Sequence, residues 1–479
     1  MSVRADAQQP PPQFPFPGGA AHVRRRPRSV PRWYRDVAGA LTWLSMLVVV
    51  ALWVGGGGIQ SLGDLLGASG LTTLGRITGL VAADLLLIQV LLMARVPFVE
   101  KAFGQDELAR RHRLVGFWSF NLMLAHIVLI TLGYAATARS GVVSEFVRLV
   151  LTYPGMLLAL AGTAALTLVV VTSIRQARAR LRYEDWHLLH LYGYVGVALA
   201  LPHQLWTGSD FLVNPLATGY WWTLWAAAAG AALIWRVAVP LYRSARHGLV
   251  VERVVREGHG VVSVVLRGRH LDTLRARAGQ FFTWRFLDGP GWTRGHPYSL
   301  SAAPTETHLR LTVKNLGDGS HRLARLRPGT RVLIEGPYGR LHAGVRTRRK
   351  VTLLAAGIGV TPLRALLEDL DQGPGDVTLV YRAHDPDDLV LRREIDALAE
   401  RTGARVYYAL GRRIHGRRTW LPESAAHLDD ATALLHLVPD VAEQDVFICG
   451  AVPWMEAAED ACLAAGVPAD RIHLERFSW

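Results

Sequence analysis

Cysteine is almost missing from this chain: there are two in 479 residues, Cys449 and Cys462, both in the last third. Two thiolates cannot build a four-cysteine iron–sulfur or zinc site, and no disulfide framework is implied. Acidic residues are the minority, 39 against 53 Lys and Arg, for a formal charge of +14. Residues 1–31 lack the apolar core of a signal peptide; rich in Pro, Arg, Gln and Ala, they read as a disordered basic tail. No calcium-binding EF-hand loop is found ahead of the apolar region, so calcium control of that kind is not indicated.

Apolar sequence, by contrast, is plentiful. Half the residues are hydrophobic, and the first half holds six runs near 37–58, 77–96, 114–136, 153–174, 187–206 and 220–241. Each is about the 20 residues that a helix needs to cross a bilayer. Arg and Lys crowd the stretch before the first run ("RRRPRSVPRWYR"), the second loop (Arg95, Lys101, Arg110, Arg111, Arg113), the fourth (Arg175, Arg178, Arg180, Arg182) and the exit of the sixth run (Arg236, Arg243, Arg246). The other loops offer little beyond Arg76, Arg139 and Arg148. This alternation predicts an integral cell-membrane protein with six spans and both termini cytoplasmic. It fits that topology rather than a nucleic-acid-binding surface.

Histidines sit inside these runs. "HRLVGFWSFNLMLAH" begins with His112 and ends with His126; fourteen steps on an ideal helix put the rings about 21 Å apart on a shared face. The fifth run, "WHLLHLYGYVGVALALPH", carries His187, His190 and His203. Neither shallow histidine aligns with His203 on an ideal helix, and Pro202 can kink or unwind the helix just before it. Ionisable groups at such depth are costly and usually functional. Facing imidazoles are good axial ligands for haem iron, and helix bundles build such sites from inward-facing side chains. Two stacked b-type haems are therefore expected, the inner between His112 and His190, with His187 as the alternative, and the outer between His126 and His203. The competing reading makes the histidines structural or leaves a single haem. Asp84, inside the second run, could relay protons, anchor a haem propionate or simply be solvated.

From about 248 the pattern changes to short alternating strands, "LVVERVVREGHGVVSVVLRG" and "AGQFFTWRFL", which predict a small antiparallel barrel. Then comes "HPYSLSAAP", residues 296 to 304. It resembles the flavin-binding motif of the ferredoxin-NADP reductase superfamily, in the form used by NADPH oxidases and transmembrane ferric reductases. The resemblance implies FAD held by His296, Pro297, Tyr298, Ser299 and Ser301, with Tyr298 against the isoalloxazine and Ser299 near its reactive nitrogen. His296 stands where many members have an arginine. "VKNLGDGSHRL" resembles the second flavin segment, in which Gly317, Gly319 and Ser320 would meet the pyrophosphate; its order before "EGPYG" distinguishes it from an ordinary turn.

"KVTLLAAGIGVTPLRALLEDL" reads as strand, glycine-rich turn and helix, a natural dinucleotide anion site. It resembles the nicotinamide-dinucleotide turn of the same superfamily, carried by Gly357, Gly359, Thr361 and Pro362. No acidic residue stands where a ribose 2′-hydroxyl would want one, whereas "VYRAHD" and "ALGRRIHGRR" supply arginines. Arg382 and Arg412 are thus candidates for the 2′-phosphate of NADPH, with Arg413 as a spare. "FICGAVPWM" is similar to the family's Cys-Gly-Pro element, which would set Cys449 beside the nicotinamide and Gly450 next to it. "HLERFSW" implies an aromatic over the flavin, Phe477 or Trp479.

The expected architecture is therefore multidomain. A tail (1–31) precedes a six-helix transmembrane haem bundle (32–246), an antiparallel β-barrel FAD domain (247–346) and an α/β parallel-sheet NADPH domain (347–479). The implied function is transmembrane electron transfer from NADPH through FAD and two b-type haems to oxygen. Ferric iron is the alternative acceptor, and donation to a partner protein or quinone is another. A membrane-anchored flavin reductase without haem is the remaining reading.

Overall fold

The computed structural model describes residues 33–63, 67–178, 183–208, 214–289, 291–315 and 317–476. The basic tail, Asp64, Asp210, Phe477 and Trp479 lie outside the described residues. The first half is helical: α1 (Trp33–Gly55), α2 (Ala68–Met93), α3 (Pro97–Phe103), α4 (Gln105–Ala138), α5 (Val142–Thr152), α6 (Met156–Ser173), α7 (Arg175–Arg178), α8 (Tyr183–Thr207) and a long final helix over Pro215–His247. Among the described residues, five helices are long and apolar enough to cross a membrane: α1, α2, most of α4, α6 and the final helix. The expected sixth, α8, has 25 residues. Its three histidines, Gln204, Pro202 and two glycines dilute its apolar character, so the count of six is not reached on composition.

Small residues set the helix packing. A Cβ on Gly75 would press into Ile130 of α4, and one on Gly133 into Thr72 of α2, so these two helices approach backbone to backbone. Gly162 of α6 and Gly196 of α8 do the same for the second pair. Pro202 lies inside α8 without ending it. The final helix contains one π-helical segment, Ile234–Ala238, before running on through Val239–His247 into the first strand.

Among the described residues the second half holds eleven strands: β1 (Val250–Gly258), β2 (Val261–Arg267), β3 (Phe281–Phe286), β4 (His296–Ser299), β5 (His308–Lys314), β6 (Val332–Tyr338), β7 (Val351–Ala356), β8 (Val377–Ala383), β9 (Arg405–Leu410), β10 (Asp445–Cys449) and β11 (Ile472–Leu474). Two three-stranded antiparallel sheets come first, in the orders β1-β2-β5 and β4-β3-β6. Single bridges, Val250 to Arg331 and Leu300 to Leu311, link them, and their buried faces share one apolar core. The bridges lie at the two edges where the sheets would close into the expected barrel; alternation encodes which face is buried and not how those edges close. A five-stranded parallel sheet follows in the order β11-β10-β7-β8-β9. Its strands are apolar on both faces, as a sheet covered by helices on each side requires.

The membrane half and the strand half meet around β6 (Val332–Tyr338). The Arg95 guanidinium lies 4.0 Å from the Tyr338 ring centroid, Arg243 donates to the Gly336 carbonyl, and the Ile334 amide donates to Ser244 Oγ at 2.9 Å. Glu100 of α3 is buried against Arg95, 3.5 Å away. Burial pushes its carboxyl up from 4.5 to about 7, against the opposing pull of Arg95, Arg236 and Arg243. A carboxyl raised in this way stabilises the fold fully below its unfolded value, and that contribution fades as pH climbs from about 4.5 through 7. Glu100→Gln is therefore expected to flatten the fall of melting temperature over that window and to be the more stable form at pH about 8. Melting curves of the solubilised protein against pH measure this, and an unchanged slope in the variant would remove Glu100 as the cause.

Candidate functional site

The close approach of α2 and α4 positions the deep histidine. Gly79 leaves a notch in α2, and a Cβ there would overlap the His126 ring. Seated in it, His126 brings Nδ1 to 2.7 Å from the Gly75 carbonyl. A carbonyl oxygen only accepts, so Nδ1 carries the proton and Nε2 keeps the lone pair. The same holds for His203, whose Nδ1 is 2.6 Å from the Ala200 carbonyl, and for His112, 3.3 Å from that of Gln89. His190 places Nδ1 3.3 Å from Ser173 Oγ, an oxygen that also accepts from the Trp186 indole at 3.3 Å. Ring nitrogens anchored in this way orient the opposite nitrogen for a ligand.

His112 and His190 face each other across the bundle with ring centroids 5.9 Å apart. That is close to the separation two imidazoles take when each binds one ion through a bond of about 2 Å. His203 lies within electrostatic reach of His126. His187, one turn before His190, lies within electrostatic reach of Arg236, Arg285 and Glu335. Where sequence left the choice open, the helix thus turns His190 to His112. All five histidines line one cavity of 2240 Å³. Its wall runs from Arg76, Tyr134 and Tyr153 past both histidine pairs to Arg285, His296, Pro297 and Glu335, and takes in Val452, Glu456 and Arg476 of the last module. The donor set fits two b-type haems: paired neutral imidazoles, with Nδ1 anchored, on the wall of an elongated, mostly apolar void. Gly79→Ala is expected to drive the His126 ring off its carbonyl, with an overpacking cost of about 1–3 kcal/mol. Haem content per chain is the measurement, and a full complement in this variant would mean that the ring is not a ligand.

Below the membrane segment, β4 (His296–Ser299) pairs with β3 (Phe281–Phe286), and the Trp284 indole donates to the Tyr298 carbonyl at 2.9 Å. The His296 and Tyr298 rings lie nearly parallel, 18° apart with centroids 6.0 Å apart. Burial pushes the Tyr298 phenol up to about 12. His296 and Pro297 reach the cavity wall, whereas Tyr298 packs on the core between the two sheets. Ser301 is fully buried, its hydroxyl taken by Arg310 and Thr312 at 3.1 and 2.7 Å. Gly317, Gly319 and Ser320 open a short helix away from this cavity, and Ser320 Oγ caps it by accepting from the Gly317 amide at 3.1 Å.

The dinucleotide turn follows β7 (Val351–Ala356). Gly357 has φ +54, and a Cβ on Gly359 would collide with the Cys449 and Gly450 backbone. Glycine there lets the turn touch the end of β10 (Asp445–Cys449). Thr361 Oγ1 donates to the Ile358 carbonyl at 3.0 Å, and Pro362 opens the helix behind it. These groups gather at the carboxyl ends of β7 and β10, where open α/β sheets bind ligands. Cys449 is 2% exposed and burial pushes its thiol well above the usual range, so it is a neutral, compact neighbour and not a nucleophile. The two arginines part ways. Arg382 is buried and its guanidinium donates to the carbonyls of Ala383 and Arg412, tying strand ends together. Arg412 is exposed.

Several residues at the junction went unnoticed in the sequence. Glu335 of β6 is paired with Arg285 at 3.0 Å and with Arg236 at 3.6 Å, between the inner histidines and β4. Ser173 and Trp186 anchor His190. The Gly75–Gly79 spacing was the one signal that could have pointed to the notch, being small residues four apart on a face of α2.

Comparison with known proteins agrees with this layout. Residues 78–201 match the family described as ferric reductase like transmembrane component, and residues 353–460 match the oxidoreductase NAD-binding domain. The chain is 34% identical over 239 residues to the ferredoxin reductase component of 3-ketosteroid-9-alpha-monooxygenase of Mycolicibacterium smegmatis, across 48% of this chain and 65% of that one. It is 28% identical over 250 residues to the glycine betaine monooxygenase reductase subunit of Chromohalobacter salexigens, across 50% and 67%. Among solved structures it is similar to the flavohem-like FAD/NAD binding domain of nitric oxide dioxygenase from Vibrio cholerae, at 24% identity and a TM-score of 0.38, over 48% of this chain and 98% of that one. The chain spans just under two thirds of the Mycolicibacterium relative. A segment matching a ferric reductase like transmembrane component thus precedes, in one chain, a segment matching an oxidoreductase NAD-binding domain.

Proposed function

We propose that the chain carries electrons across the membrane, from cytoplasmic NADPH through FAD and two b-type haems to oxygen on the outer face. The observation that carries this reading is the single cavity joining the His126/His203 pair, the His112/His190 pair and the His296–Pro297 strand. Bound FAD and haem would supply the change from two-electron to one-electron chemistry; the protein supplies orientation and electrostatics. His112 with His190 and His126 with His203 would hold the haems through Nε2. β4 would hold the flavin at the inner end of the void, near the Arg236–Glu335–Arg285 bridge. Gly357, Gly359, Thr361 and Pro362 would receive the dinucleotide, Arg412 its 2′-phosphate, and Cys449 with Gly450 would back the nicotinamide. Arg382 would shape the loop that presents Arg412.

Oxygen is favoured over ferric iron because iron or its chelates would be helped by oxygen ligands outside. The outer loops offer only scattered carboxylates such as Asp64, Glu145 and Asp210, and Glu145, the one of these among the described residues, is 1% exposed and occupied by Arg148 and Ser140. The monooxygenase reductase relatives favour one second reading, donation to a partner protein. The test uses purified, detergent-solubilised protein with FAD and NADPH. Both haems should reduce without oxygen, and admitting air should give cytochrome c reduction that superoxide dismutase abolishes. Dismutase-insensitive reduction together with equally fast anaerobic reduction of ferric chelates would favour the ferric reading, and negligible turnover until a partner is added would favour donation.

A further inference from the structure

Two buried arginines and two partly buried glutamates meet on the seam between the antiparallel sheets and the parallel sheet, away from the cavity. Arg310 of β5 (His308–Lys314) meets Glu394 with both nitrogens, at 2.8 and 2.8 Å. Glu394 also lies 2.9 Å from Arg364 Nε, and Arg364 pairs with Glu368 one turn along the Val360–Asp369 helix. Arg364 is fully buried. A third carboxylate, Glu257, lies within electrostatic reach of Glu394, Arg310 and Arg364, and burial pushes its carboxyl up.

What the cluster grips is specific. Arg310 and Arg364 both donate to the Ser301 carbonyl, at 2.9 and 3.2 Å, and Glu368 accepts from the Ala303 amide at 2.8 Å. The Ser301 hydroxyl is held by Arg310 and Thr312, and Thr312 is in turn linked to Ser263 at 2.7 Å. Ser301 and Ala303 directly follow the His296–Ser299 strand, and Arg364 and Glu368 lie on the helix that starts from the dinucleotide turn. The two segments that must bring flavin and nicotinamide together are thus bolted to each other by charge-assisted bonds in a dry seam, where such bonds are short and directional.

We propose that Arg310, Glu394, Arg364 and Glu368 form a positioning clamp that fixes the distance between the flavin strand and the dinucleotide turn, and so sets the rate of hydride transfer rather than the binding of either coenzyme. This rests on the flavin and NADPH reading above. Misplacement of reacting groups by about 1 Å can cost on the order of a hundredfold in rate. The test is stopped-flow reduction of FAD by NADPH in the full-length protein, comparing wild type with Glu394→Gln, Arg310→Lys and the double substitution Arg310→Met with Glu394→Met. The methionine pair replaces a buried ion pair with apolar bulk that commonly leaves folding intact. Wild type must first bind FAD and be reduced by NADPH, and failure there counts against the underlying reading instead of the clamp. With that in place, the expected result is a rate at saturating NADPH lowered about tenfold or more in the double variant. Flavin content should be retained, the NADPH dissociation constant should stay within about threefold, and Arg310→Lys should recover part of the rate. A wild-type rate in the flavin-loaded double variant overturns the proposal, even if the single variants lose flavin or fold poorly.

Discussion

His203→Ala is expected to remove one of two haems from the protein, taking haem per flavin from about two to about one, and to abolish reduction of any outer acceptor. His203 sits on the outer half of the cavity wall with Nδ1 committed to the Ala200 carbonyl, and the Gly155 turn packs against its backbone, so no neighbouring histidine can take its place. NADPH should still reduce the FAD and the remaining inner haem in this variant, because the His112/His190 pair and the flavin strand are untouched. Optical redox titration in dithionite separates the two centres. Two haems persisting in His203→Ala, and likewise in His126→Ala, would rule out the outer pair as ligands.

The second large effect concerns coenzyme choice. Arg412 is exposed just beyond β9 (Arg405–Leu410), while Arg382 spends its donors on backbone carbonyls that shape the Arg412 turn. A charge-assisted contact to phosphate is worth roughly 1.5–3 kcal/mol, so Arg412→Ala should raise the Michaelis constant for NADPH about tenfold or more and leave NADH nearly unchanged. Arg382→Ala should differ in kind and weaken both coenzymes by loosening the strand ends. Initial rates with the two coenzymes decide the matter. Equal losses for both in Arg412→Ala would assign that side chain to the loop and not to the 2′-phosphate.

Much of this was legible before any coordinates. A run of twenty apolar residues has few alternatives to a buried or membrane helix, and the turn from period-two strands to strand–glycine–helix marks where the parallel sheet starts. The histidine pairs were legible because a polar ring is conspicuous in such a run. Their partners were not. Gly75 and Gly79 matter through what their missing side chains admit, and the acceptors for Nδ1 are backbone carbonyls that any residue could provide. Ser301 and Arg382 show the same limit from the other side. A serine in a flavin-like motif and an arginine at a strand end look alike whether they meet a ligand or fasten the chain, and only the arrangement of distant segments decides between the two. The α8 register was hidden by Pro202, whose local geometry depends on what packs beside it.

The π-helical segment at Ile234–Ala238 holds a final consequence. A π turn carries one residue more than an α turn, and one residue is about 100° of rotation on a helix. Everything beyond it, including Arg243 and Ser244, which hold β6 from the helix, owes its compass bearing to that surplus residue. The membrane bundle and the reductase half are therefore keyed like a bayonet fitting, and trading one reductase half for another is a question of azimuth before it is one of affinity. A chimera joined after His247 keeps the key; one joined ahead of Ile234 onto an uninterrupted α-helix delivers the new module facing the wrong way.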